Sequence, residues 1–139
     1  MAIQFIPEEI VPIIHQDLLR RFGGKAGIRD SNLLFSALAQ PKMTAGKKSL
    51  HKTLFDNAAA YGFHVCRNHP FIDGNKRVAF VLMVIFLDCN GWELQSTEEE
   101  AYETMMLLAS GKLTKPALSS WLKEHSAEHP AWTPSAGAA

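Results

Sequence analysis

The chain has 139 residues, 47% of them apolar and 20% charged, with fourteen cations balancing fourteen anions. That is the size and composition of one globular domain with a sizeable core, and it excludes a disordered chain. The balanced charge supplies no global field for nucleic acid or an anionic membrane.

Helix signals dominate in chain order. Pro7 followed by Glu8 and Glu9 suits a helix first turn, and Ile10, Ile13, Ile14, Leu18 and Phe22 then mark an apolar face. Gly23-Gly24 ends that helix, and GGKAGIRD, residues 23–30, reads as a loop. Asp30 or Ser31 caps a short helix that Pro41 ends, and residues 41–48 form a second polar connection. Ser49 is the expected cap of a third helix from about Leu50 to Cys66. Asp73 or Gly74 opens a fourth, running to about Cys89 and stopped by Asn90-Gly91. WELQ is too short to count as a sheet. Thr97 before three glutamates resembles a capped start of a helix running to Gly111, and a last helix spans Pro116 to His125. The predicted fold is an all-α single-domain bundle over residues 1–125, with a central buried helix at about 74–89. Residues 126–139, rich in Pro, Ala and Gly, are expected to form a flexible tail.

Cys66 and Cys89 form neither a disulfide framework nor a Cys-x-x-Cys pair, and both are expected in the core. The N-terminus lacks a signal peptide's basic and apolar regions, and the apolar run from Val78 to Leu87 is too short to span a bilayer. A cytoplasmic protein is therefore expected.

The chemistry concentrates in HPFIDGNKR, residues 69–77, placed just before VAFVLMVIFL. Gly74, Asn75, Lys76 and Arg77 fall in the first turn of the fourth helix. There the leading backbone N–H groups lack intrahelical partners and the dipole is positive. Lys76 and Arg77 add full charges, and arginine can grip a phosphate with two parallel hydrogen bonds. Together these make an anion site suited to a nucleotide's phosphates. Asp73 is placed to hold magnesium, which favours one or two carboxylates plus phosphate oxygens. His69 is placed to accept a proton from a hydroxyl. The structural alternative is equally open on the pattern alone: Asp73 as an N-cap, Lys76 and Arg77 as solvated charges, His69-Pro70 as a turn. His15, His51, His64, His125 and His129 have no metal-ligand spacing and read as structural or exposed. The loop at 23–30 is a candidate flap over the site.

HPFIDGNKR resembles the signature of the Fic/Doc family, His-x-Phe-x-acid-Gly/Ala-Asn-Gly/Lys-Arg. RRFGGKAGIRDSNLLFSALAQP resembles the early part of Doc (death on curing) toxins, and the resemblance extends over roughly residues 5–125. It implies His69 as general base, Asp73 as Mg2+ ligand, and Gly74, Asn75, Lys76 and Arg77 as holders of the phosphates of ATP. Arg67 matches a further basic position of Doc toxins. Typical Fic enzymes carry glycine after the asparagine and transfer AMP. Doc toxins carry lysine there and act as kinases, and this chain has Lys76, although Pro70 and Gly74 follow the general Fic pattern.

The resemblance thus implies the toxin of a toxin–antitoxin system, phosphorylating a hydroxyl of a translation factor, elongation factor Tu, to block protein synthesis. The alternatives are an AMP transferase using the same site and a catalytically inactive nucleotide-binding module. Many Fic enzymes carry a self-inhibiting Ser/Thr-x-x-x-Glu-Gly/Asn helix. The nearest stretch here, Ser120 to His125, ends in His after Glu124. Inhibition is therefore expected from a separate antitoxin chain, with no direct nucleic-acid or membrane partner.

Overall fold

A computed structural model describes residues 3–45, 48–49 and 53–129. Its elements are a 3-10 turn Glu8–Ile10, α1 Val11–Phe22, α2 Ser31–Ala39, a 3-10 turn Gln40–Lys42, β1 Thr44–Ala45, β2 Lys48–Ser49, α3 Leu54–Asn68, α4 Asn75–Cys89, β3 Trp92–Leu94, α5 Glu98–Ala109, α6 Lys115–Glu124 and β4 Ser126–Glu128. The fold is all-α, as the helix signals predict. Among the described residues, no helix is long and apolar enough to cross a membrane.

Local capping chemistry accounts for most helix starts. The Asp30 side chain accepts from the Leu33 N–H, and Thr97 and Glu100 form a reciprocal capping box. The third helix begins later than expected. Thr53, not Ser49, is its cap, because Asp56 answers Thr53 from the third helical position and completes a capping box.

The core is built where α3 packs on α4, with α2 and α6 against α3. Tyr61, Val65, Leu82, Met83, Phe86, Leu87, Leu118 and Leu122 are all fully buried there. The expected central helix at 74–89 is α4, and α3 shares its central place. In α3 the side chains from Ala58 to Gly62 are almost all small, which lets the two helices approach closely. A Cβ added at Gly62 would overlap the Met83 sulfur.

Four expectations are corrected. The apolar face of α1 holds only in part: Ile10, Ile14 and Leu18 pack against the core, whereas Ile13 and Phe22 do not. Ile13 is 64% and Phe22 61% exposed, while Val11 and His15 are buried. Val11 and His15 complete the inner face, His15 with a polar partner inside the fold, while Phe22 lies under the Arg77 guanidinium, 4.4 Å from its ring centroid. WELQ does form a strand, since Trp92–Leu94 pairs antiparallel with Ser126–Glu128. Residues 126–129 are therefore not tail, since the His129 N–H also bonds the Gly91 carbonyl; the rest of the expected tail, residues 130–139, lies outside the described residues, as does His51. Finally, Cys89 is exposed rather than buried.

Candidate active site

The signature stretch spans the end of one central helix and the start of the next. α3 ends at Asn68, and His69 turns the chain in the left-handed region (φ 49°, ψ 54°), the only non-glycine with positive φ among the described residues. A side chain with a Cβ is costly there, so surrounding structure must hold it. The His69 side chain is exposed. Phe71, fully buried, anchors the middle of the loop. Gly74 (φ 82°) is the N-cap of α4 and makes no side-chain cap bond. The first turn of α4 thus points free N–H groups outward, with exposed Lys76 and Arg77 beside them.

Asp73 is not the helix cap. One carboxylate oxygen accepts from the Gly74 N–H (2.9 Å) and the other from the Lys25 N–H (3.1 Å), 48 residues away. Hydrogen bonds from those two backbone N–H groups, Lys25 first, hold its carboxyl below the usual 3.8, outweighing a small opposing desolvation; the Lys25 and Arg77 charges add to the effect. The sign is that of a depressed acid. The contribution of this charge is present above the usual carboxylate range and is lost as pH falls through the folded value. Each carboxylate oxygen keeps a further lone pair, and the group is exposed. No cluster of three or more His, Cys, Asp or Glu that could cage a metal occurs among the described residues. One exposed carboxylate beside an anion site nevertheless fits magnesium, which binds through a carboxylate, water and phosphate oxygens rather than a full protein cage.

Asn75 departs from its expected role. Its side chain is buried; Oδ1 accepts from the Phe71 N–H and Nδ2 donates to the Phe71 carbonyl, both at 2.9 Å. The amide therefore shapes the loop rather than facing a phosphate, and only the N–H at the helix start remains for an anion. Asn75→Ala should leave both Phe71 groups without partners and destabilise the fold by about 1–3 kcal/mol, to be measured by chemical denaturation.

Arg67 lies on the last turn of α3, its guanidinium 5.7 Å from the Phe63 ring centroid. With Phe63, Cys66, Leu108, Ala109 and Gly111 it lines a cleft of about 230 Å³ between α3 and the end of α5. Burial pushes the Cys66 thiol up to about 11, with the Lys76 charge pulling slightly the other way. Cys66 is thus a neutral thiol, not a nucleophile, and Lys76 lies near that wall of the cleft.

Two contributors, Arg29 and His15, escape the sequence reading, whereas the loop at 23–30 is the expected flap. The loop at 23–30 is zipped onto the signature. Ile28 bridges Phe71, the Ile72 N–H bonds the Gly27 carbonyl, and the Arg29 and Asp30 N–H groups bond the Pro70 carbonyl. Gly24 (φ 125°) lies so close that a Cβ would stand 2.9 Å from the Asp73 carboxylate. Arg29 donates to the Asn68 and His69 carbonyls. His15 is buried; its Nε2 donates to the Asp73 carbonyl (2.8 Å) and its ring stacks on Phe71, 3.9 Å between centroids. The spacing Val11-His15-Leu18, one helical turn at each step, is the signal that could have placed His15 on the inner face.

The Fic/DOC family model matches residues 5–87, a span that contains α1 to α4 and the whole signature. The chain is similar to Toxin Doc of Mycolicibacterium smegmatis, 41% identical over 73 residues, which cover 52% of this chain and 56% of that one. It is also similar to Protein kinase doc of Escherichia phage P1, 26% identical over 117 residues, 84% of this chain and 90% of that one. The match to the mycobacterial toxin thus spans little more than half of that relative's length.

Proposed function

The chain belongs to the Fic/DOC family, and from that premise we propose that it is the toxin of a toxin–antitoxin system, a protein kinase that uses ATP and Mg2+ to phosphorylate a hydroxyl of a translation factor. The observation that carries this reading is Lys76, exposed at the open start of α4 beside Arg77 and following the exposed His69 and Asp73 in the chain. The similarity to a relative named Protein kinase doc supports the choice of phosphoryl donor chemistry. Elongation factor Tu is the proposed substrate, so that the modification stops translation in the cytoplasm. The antitoxin acts in trans, consistent with the lack of a self-inhibiting motif in the sequence.

In this reading a serine or threonine hydroxyl of the target gives its proton to the His69 imidazole. Its oxygen bonds to the γ-phosphorus as the bond to the β–γ bridging oxygen breaks, and ADP leaves. The N–H groups at the start of α4, with Lys76 and Arg77, take the charge on the phosphates. Asp73 would hold the magnesium ion, which when bound neutralises phosphate oxygens. Arg67 lies on the cleft wall, two residues before His69 in the chain, where it can meet the nucleotide from the α3 side.

ATP labelled on the γ-phosphate, incubated with the chain and a bacterial extract, should label one discrete protein, and purified elongation factor Tu should gain the mass of a phosphate. Lys76→Gly should lose most of this activity. Glycine there opens the backbone to the arrangement that typical Fic enzymes use for AMP transfer, so this variant is where AMP-sized additions should be sought. Addition of AMP by the wild type would assign the chain to the AMP transferases instead. Nucleotide binding without any modified target would make it a binding module.

A further inference from the structure

We propose that Arg29 is a positioning residue for His69, tying the loop at 23–30 to the end of α3 so that the imidazole is presented to the target hydroxyl. This inference rests on the reading of His69 as general base. The last carbonyls of a helix have no intrahelical partners, and the chain leaves α3 through the left-handed His69. Arg29 meets both groups at this exit. Its Nε donates to the His69 carbonyl (2.7 Å) and its Nη2 to the Asn68 carbonyl (2.8 Å).

A planar guanidinium can make two such bonds in a fixed fork, and its charge suits the negative end of the helix dipole. Lysine, a point charge on a flexible stem, cannot reproduce the fork. The Arg29 main chain continues the same tie, its N–H bonding the Pro70 carbonyl at 2.7 Å. Peptide planes on both sides of the His69 Cα are therefore held by one residue 40 positions upstream. The direction of the Cα–Cβ bond follows from those planes, and with it the region that the imidazole can reach. Arg29 is itself exposed, so its side chain adds little to the core and its variants should fold.

The test compares wild type, Arg29→Ala, Arg29→Lys and His69→Ala. Single-turnover phosphoryl transfer to the target, ATP affinity by calorimetry and amide hydrogen exchange at residues 68–72 are measured for each. Arg29→Ala should slow transfer by about 100-fold, the scale of a displaced reacting group, with ATP affinity unchanged and faster exchange at the His69 amide. Arg29→Lys should recover little of the rate, while millimolar guanidinium should partly restore Arg29→Ala. Wild-type rates in Arg29→Ala alongside an inactive His69→Ala would overturn the inference and leave the general base standing. A parallel fall in ATP affinity would make Arg29 a phosphate ligand instead, and unchanged exchange at His69 would remove the proposed tie. Full activity in His69→Ala would remove the general base, and the role of Arg29 with it.

Discussion

His69→Ala is expected to slow phosphoryl transfer by roughly two to four orders of magnitude, the usual scale for losing a general base. The fold should survive, because the imidazole is exposed and makes no core contact. The backbone conformation offers a sharper comparison. At φ 49° any residue with a Cβ is disfavoured, by about 1–2 kcal/mol relative to glycine. His69→Gly should therefore be at least as stable as the wild type and still be inactive. That pairing separates the two roles of the position, since backbone strain tracks the Cβ and chemistry tracks the imidazole. Transfer within tenfold of wild type in both variants would take His69 out of the mechanism.

Asp73→Asn is expected to lose at least about 100-fold in transfer, on the scale at which even partners of metal ligands matter. The geometry changes what this variant tests. Gly74, not Asp73, caps α4, so the good capping power of asparagine cannot rescue it. The substitution does two things at once. It removes the charge that would hold magnesium. It also turns one carboxylate acceptor into an amide donor facing the N–H of either Lys25 or Gly74, loosening the loop at 23–30. Metal dependence tells these apart. Loss of a ligand raises the magnesium concentration needed for half-maximal transfer, whereas loosening of the loop lowers the rate at every concentration. An unaltered magnesium requirement would remove Asp73 as the metal residue.

The parts that proved legible are those whose cause is local. Caps at Asp30 and Thr97, the stop at Asn90-Gly91 and the all-apolar run after Arg77 are read from neighbours a few residues apart, and the helices follow. The Ser49 cap failed because a better one, the Thr53–Asp56 box, lay four residues on. WELQ failed because β3 exists only through β4, more than thirty residues downstream, and such pairing is set by how the intervening α5 and α6 dock.

The candidate site divides in the same way. The sequence by itself determined which chemical groups stand together, because His69, Asp73, Lys76 and Arg77 are within nine residues at a helix start, where the dipole and open N–H groups require no distant partner. Tertiary structure alone decided their roles around that start. It turned Asn75 inward to clamp Phe71, and it set His15 under the Asp73 carbonyl at a separation of 58 residues. It also laid Gly24 to Asp30 along the loop, with Arg29 gripping the end of α3. The physical reason is that a hydrogen bond between residues far apart in the chain depends on which faces of α1 and α3 the core buries. That choice is made by packing the whole bundle, not by the nine residues of the signature.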